Sequence, residues 1–150
     1  MSPDETRERA LAAALKQVAR STVMGMAHSM ETIAQRISSA LNARDMTAFR
    51  SIIAEDAKWS GGDIGDGRAC HNRNDIIKTY KRLLDQGVRG TVVETITGPA
   101  GIACRVEIEW PDNLSNPRDD LYQVFLVRNG VVIRIEGTDD RDLAIEKVRP

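Results

Sequence analysis

The constraint that governs this chain lies in its second half, where four β-rich runs follow one another with turn residues between them. They are Val88 to Thr97, Ile102 to Trp110, Leu121 to Arg128 and Val131 to Gly137. Gly98-Pro99-Ala100-Gly101 and Asn129-Gly130 punctuate them, and an Asn-Gly pair between two such runs is a strong hairpin signal because both central positions of the turn need positive φ. Consecutive strands joined by tight turns pair antiparallel. A sheet of this size needs a second layer to cover its apolar face, and the first half supplies helical patterns for it.

Asp4 and Glu5 after Ser2-Pro3 mark a helix start, with an apolar line of Leu11, Ala14, Leu15 and Val18. This thin, alanine-rich helix, to about Ser21, reads as an N-terminal extension over residues 1–23, ahead of a domain over residues 24–150. Met26, Met30, Ile33, Ile37, Ala40 and Leu41 recur at the spacing of an amphipathic core helix. Asp45 caps a third, short helix whose face is Met46, Phe49, Ile52 and Ile53, ending near Glu55. A strand is expected over residues 57–60, then a glycine-rich loop over 61–67. The next helix runs from about Asn74 to Gln86, with Ile76, Ile77, Tyr80, Leu83 and Leu84 inward and Gly87 closing it. Thr138, Asp139 and Asp142 favour a last helix with Leu143, Ala144 and Val148 on its inner side.

Composition narrows the function classes. With 150 residues, 41% of them hydrophobic, the chain suits one core large enough to hold a small cavity. Twenty-one basic and 22 acidic side chains are interspersed, without the one-sided basic stripe that nucleic acid requires. No apolar run reaches the ~18 residues of a membrane span, and the N-terminus lacks a signal-peptide pattern, so a cytoplasmic location is the expectation. Cys70 and Cys104 fall outside any paired spacing and read as buried thiols rather than a metal site. Two aspartates within the loop Gly61 to Gly67 argue against phosphate and for a lid. Asp139, Asp140 and Asp142 are better explained as helix caps than as cation ligands.

Three segments resemble the nuclear transport factor two superfamily, and its SnoaL-like members in particular. Ile53-Ala54-Glu55-Asp56-Ala57-Lys58-Trp59 is similar to the acid-acid-Ala-x-aromatic pattern that leads into the first strand there. Cys70-His71-Asn72-Arg73-Asn74-Asp75 is similar to the opening of the pocket-side helix. Arg128-Asn129-Gly130-Val131-Val132-Ile133, with Asp140-Arg141-Asp142-Leu143-Ala144 after it, resembles the closing hairpin and tail. The match spans roughly residues 26–147. It implies an α+β cone, a curved antiparallel sheet packed on three to four helices, homodimerisation through the sheet, and an apolar small molecule in the cone. No cofactor or metal is implied.

Which residues would act on such a molecule depends on strand parity. Ile102, Cys104, Val106, Ile108 and Trp110 alternate with Ala103, Arg105, Glu107 and Glu109. The polar set is either a solvated outer face or, if turned inward, a catalytic pair, since Arg105-Val106-Glu107 resembles the Arg-x-Asp element with which limonene epoxide hydrolases activate water. The other positions of that site fall at Gly137 and Gly61, and the Asp of ketosteroid isomerases also falls at Gly61. His71 is a candidate proton carrier beside the loop, or a surface residue. Trp59, Tyr80 and Ile135 are candidate pocket walls. Tyr122 and Val124 join them if their strand turns them inward; the opposite register, Leu121, Gln123 and Phe125, is nearly as apolar. Inward charges on the third strand imply an isomerase, cyclase or hydrolase acting on a polyketide-like substrate; outward charges imply a non-catalytic binding or assembly module whose extra helix engages a partner.

Overall fold

The computed structural model describes residues 30–60, 70–114 and 120–149. The N-terminal helix and the lid expected over 61–67 lie outside them. Residues 30–43 are helical (α1) and bury Ile33, Ala34, Ile37 and Ala40, one stripe at three- and four-residue spacing. Arg44 ends the helix at φ 57°, with Asp45 N–H donating to Ala40 O at 2.8 Å and Arg44 N–H to Leu41 O at 3.1 Å. That is the left-handed helix stop usually taken by glycine. Asp45 then caps α2 (Met46–Arg50) by accepting from Ala48 N–H at 3.0 Å.

β1 (Ile53–Ser60) follows at once, so α2 is shorter and the strand longer than the sequence pattern suggests. Ile52 and Ile53 are both buried, and two adjacent buried isoleucines fit a turn into a strand as well as they fit a helix face. α3 (Arg73–Asp85) is capped by Asn72, which accepts from Asp75 N–H at 2.9 Å, and closes through Gly87 at φ 92°.

β2 (Arg89–Gly98), β3 (Gly101–Glu109), β4 (Asp120–Arg128) and β5 (Val131–Thr138) lie within a residue or so of the four runs read from sequence, and α4 (Arg141–Val148) ends the chain. Asn129 and Gly130 take φ 53° and 80° in the β4–β5 turn, as that turn demands. The strand order is β1-β5-β4-β3-β2. β1 runs parallel to β5, so the sheet is mixed where an antiparallel one was expected; only the four-strand meander is antiparallel. The sheet is curled and unclosed, with four helices among the described residues.

Its two faces are covered differently. Ile102, Cys104, Phe125 and Ile135 point into a core shared with α1, α2 and α3. Ala103 and Val124 point the other way, onto Ala144 and Val148 of α4. α4 is therefore laid across the back of the sheet. Asp140 caps it by accepting from Asp142 and Leu143 N–H, Arg141 pairs with Glu94, and Lys147 pairs with Glu136 at 2.6 Å. Leu143, expected on the inner side of this helix, is exposed instead, because Ala144 and Val148, four apart, already form the contact stripe.

Two local contacts set the geometry of β2, a strand at the sheet edge. Its ladder is irregular between Val92 and Glu94, where a bulge leaves Val93 turned outward. There the Asn42 carboxamide accepts from Val92 N–H at 2.7 Å and donates to Val92 O at 3.3 Å, fastening the end of α1 to the bulge. At the other end Ala100 N–H donates to Val148 O at 2.9 Å, and a Cβ on Gly98 would overlap that same carbonyl. Gly98→Ala is therefore expected to lift the last turn of α4. Urea unfolding should show a loss of about 1–3 kcal/mol, against a change within about 0.5 kcal/mol for an exposed control such as Asp112→Ala.

Candidate functional site

The helix-side core holds a polar pair, Tyr80 and Gln123. α3 presents Tyr80 between Phe49, edge-on at 4.9 Å between ring centroids, and Trp59, stacked at 5.0 Å. Phe125 meets Phe49 in turn at 6.2 Å. The Tyr80 hydroxyl donates to Oε1 of Gln123 at 2.8 Å, and Gln123 is 2% exposed at the middle of β4. Tyr80 and Gln123 form the polar part of the wall of a narrow cavity of about 60 Å³. The rest of the wall is Leu41, Met46, Leu83, Leu84, Val88, Gly90, Val92, Val106 and Ile108. The cavity thus sits where α1, α2 and the end of α3 meet β2 and β3. Gly90 helps to keep it open, since a Cβ there would lie 3.1 Å from Val106 Cγ1.

Electrostatically this is a neutral site. Among the described residues no carboxylate, imidazole or cationic side chain lines it. Burial pushes the Tyr80 phenol well above its ordinary value, against the smaller opposing effect of the Gln123 hydrogen bond, so it remains a hydrogen-bond donor. Cys104, beside Gln123 in the β3–β4 register, is fully buried and its thiol is pushed up to about 12 by desolvation. Cys70 is buried too, with its sulfur 3.4 Å from the Thr79 hydroxyl. Among the described residues no group of histidine, cysteine and acidic side chains could hold a metal. The buried Nε1 of Trp59 has no hydrogen-bond partner among them.

The sequence-derived candidates divide by strand parity. Trp59, Tyr80 and Ile135 lie on the helix side of the sheet, with Tyr80 in the cavity wall. Tyr122 and Val124 do not: the pleat of β4 turns Leu121, Gln123 and Phe125 inward, while Val124 packs under α4 and the Tyr122 hydroxyl accepts from Arg141 at 3.3 Å. Arg105 and Glu107 also lie on the back of the sheet, 37% and 58% exposed and 3.7 Å apart, and Asp120 is 3.5 Å from Arg105. They edge an open polar trough of about 290 Å³ with Thr91 and Glu109. Of the two placements that strand alternation leaves open for Arg105 and Glu107, the outward, solvent-screened one is observed. The trough is larger than the cavity, yet among the described residues its one guanidinium is already shared between two carboxylates and nothing encloses it. His71 is exposed ahead of α3 and meets neither group. Sequence reasoning named Gln123 only within the alternative register of its strand, and Leu41, Met46, Leu83 and Leu84 only as helix inner faces, not as a cavity wall. The available signal was a lone carboxamide inside the apolar run Leu121 to Val127.

No family model matches the sequence, and no curated protein matches it by sequence. Solved structures do match. Bal32a from a soil-derived mobile gene cassette superposes with a TM-score of 0.63 at 19% identity, over 79% of this chain and 95% of that one. TerC, co-crystallised with polyporic acid, gives 0.60 at 16% identity, over 80% and 98%. A provisionally assigned polyketide cyclase from Xanthomonas campestris gives 0.59 at 17% identity, over 81% and 97%. Other matching structures are described as NTF2-like. The fold is therefore the nuclear transport factor two-like cone, as the three sequence segments implied. Within it, no helix of the described residues is long and apolar enough to cross a membrane.

Two expectations follow from the buried polar groups. Below its ordinary value of about 9 the Cys104 thiol is neutral whether the chain is folded or not, so its effect on stability is constant there. Above that, the unfolded thiol ionises while the folded one resists up to about 12, so stability falls as pH rises through this window. Urea midpoints taken from pH 7 to 10.5 should decline above about 9, and more shallowly in Cys104→Ala. Tyr80→Phe strands the buried Gln123 carbonyl and should cost about 1–3 kcal/mol; Tyr80→Phe combined with Gln123→Met should recover part of it in a double-mutant cycle.

Proposed function

We propose that the protein is a small-molecule-binding cone domain whose helix-side cavity takes a flat, apolar ligand without acid–base chemistry on it. The observation that carries this reading is the cavity wall, aliphatic but for Tyr80 and Gln123. A general acid or base must titrate near the working pH and reach the substrate. Among the described residues the wall's one titratable group is a phenol held far above neutrality, and Arg105, Glu107 and His71 lie elsewhere. Isomerase, cyclase or hydrolase chemistry is the weaker reading for that reason. A polyketide-like ligand is supported by the company of the fold, which includes a structure holding polyporic acid and one named provisionally for polyketide cyclisation.

At about 60 Å³ the cavity is small beside the ~300–1,000 Å³ of common ligand pockets. One or two rings can enter if Met46 and the neighbouring leucines repack; the unbranched thioether makes that inexpensive. Homodimerisation through the sheet would have to occur beside α4, because Ala144 and Val148 already cover the middle of the back face. The charged Arg105, Glu107 and Asp120 are open there. A monomer with α4 in place accords better with these contacts. The location expected from sequence, the cytoplasm, is retained as a proposal.

Indane, a flat bicyclic hydrocarbon, is the probe of choice. It should raise the melting temperature of the wild-type chain in a saturable way, by linkage of binding to folding. Val106→Phe, which fills the cavity from β3, should abolish that shift while still melting cooperatively, at a stability cost of about 1–3 kcal/mol. No shift with indane in the wild type would refute the reading.

A further inference from the structure

We infer that Gln123 determines the specificity of the cavity, selecting a neutral ligand that presents one acceptor oxygen, a ketone or quinone carbonyl, to its side-chain amide nitrogen. This rests on the reading of the cavity as a ligand site and adds what the ligand must carry.

A carboxamide in an apolar wall is costly unless its donors and acceptor are paired. Gln123 is 2% exposed, and its Oε1 is taken by the Tyr80 hydroxyl at 2.8 Å. The direction of that bond follows from counting. Tyr80 has no other acceptor among the described residues, so a hydroxyl that accepted from Nε2 would leave its own proton and Oε1 both unpaired. With the hydroxyl donating, only the two N–H groups of Nε2 remain, and no described residue accepts from them. Nor can the cross-strand neighbours serve, being Cys104, a neutral thiol and weak acceptor, and Gly137, which has no side chain. The amide is thus fixed at one end and, among the described residues, unpaired at the other, in the wall of the cavity.

The complement of two unpaired N–H donors is an acceptor. A carbonyl oxygen suits it because it needs donors only. An ionised carboxylate suits it less, since no described residue of the wall is a cation to offset a buried charge. Tyr80 acts here as a positioning residue, because it keeps Oε1 away from the ligand.

The test compares 1-indanone with indane, two probes of almost the same shape that differ by one carbonyl. Both are titrated into the full chain and followed by ¹⁵N NMR, which resolves side-chain amides, and by tryptophan fluorescence. Wild type should hold 1-indanone in preference to indane, and the Gln123 amide signals should move with the ketone but not with the hydrocarbon. In Gln123→Met, indane should bind as before while the preference drops about fivefold, the range of one net hydrogen bond. If that variant does not fold, the wild-type amide signals decide by themselves. Binding of both probes with the Gln123 amide unmoved by the ketone, or an undiminished preference in Gln123→Met, overturns the inference and leaves the cavity reading standing. Failure of both probes to bind overturns the two together.

Discussion

The centre of the sheet is dry on both faces, and the remaining architecture is arranged around that condition. Ile102, Cys104 and Phe125 are sealed by α1 to α3, and Ala103 and Val124 by α4. Each large side chain buried this way contributes about 1.5–3 kcal/mol. Small residues on the back face let α4 lie close; larger ones would hold it off, as the overlap at Gly98 indicates. With the back closed by a helix, the helix side is left as the place where a cavity can persist. The charged Arg105 and Glu107 of β3 and Asp120 at the start of β4 lie beyond the contact of Ala103 and Val124 with α4, and pair in solvent.

Within the helix-side core, aromatic contacts run from Phe125 through Phe49 and Tyr80 to Trp59, one contribution each from β4, α2, α3 and β1. They align Tyr80 so that its hydroxyl meets Gln123. A chain with only 4% aromatic residues has placed most of those it has in a single contiguous set. Polar precision at the cavity is thus a product of apolar packing.

Much of this was legible from residues alone, and the misses share a physical cause. The four meander strands follow from alternation and turn chemistry, α3 from its inward apolar set and its glycine stop, and α1 from its apolar stripe. Parity was harder. On β3 only one register is apolar, so alternation implied that Arg105 and Glu107 could face water; on β4, Leu121-Gln123-Phe125 and Tyr122-Val124-Leu126 are both fit for burial, and both are in fact shielded, because α4 dries the second face. Residue type cannot choose between two dry faces. The parallel pairing of β1 with β5 has no local signature either, since it depends on where α2 delivers the chain. The cavity wall is ordinary aliphatic sequence, and its one distinguishing residue, Gln123, stands out only once its neighbours are known to be apolar on every side.

The clasp between Asn42 and Val92 also bears on how this domain stays apart from copies of itself. β2 ends the sheet, so part of its backbone has no neighbouring strand, and such a row of free amides and carbonyls is a template for a foreign strand. By occupying both the N–H and the C=O of Val92 at a bulge, the carboxamide removes two rungs from that template and bends the remainder out of line. A side chain borrowed from the preceding helix thereby makes the rim of the sheet a poor partner for edge-to-edge polymerisation.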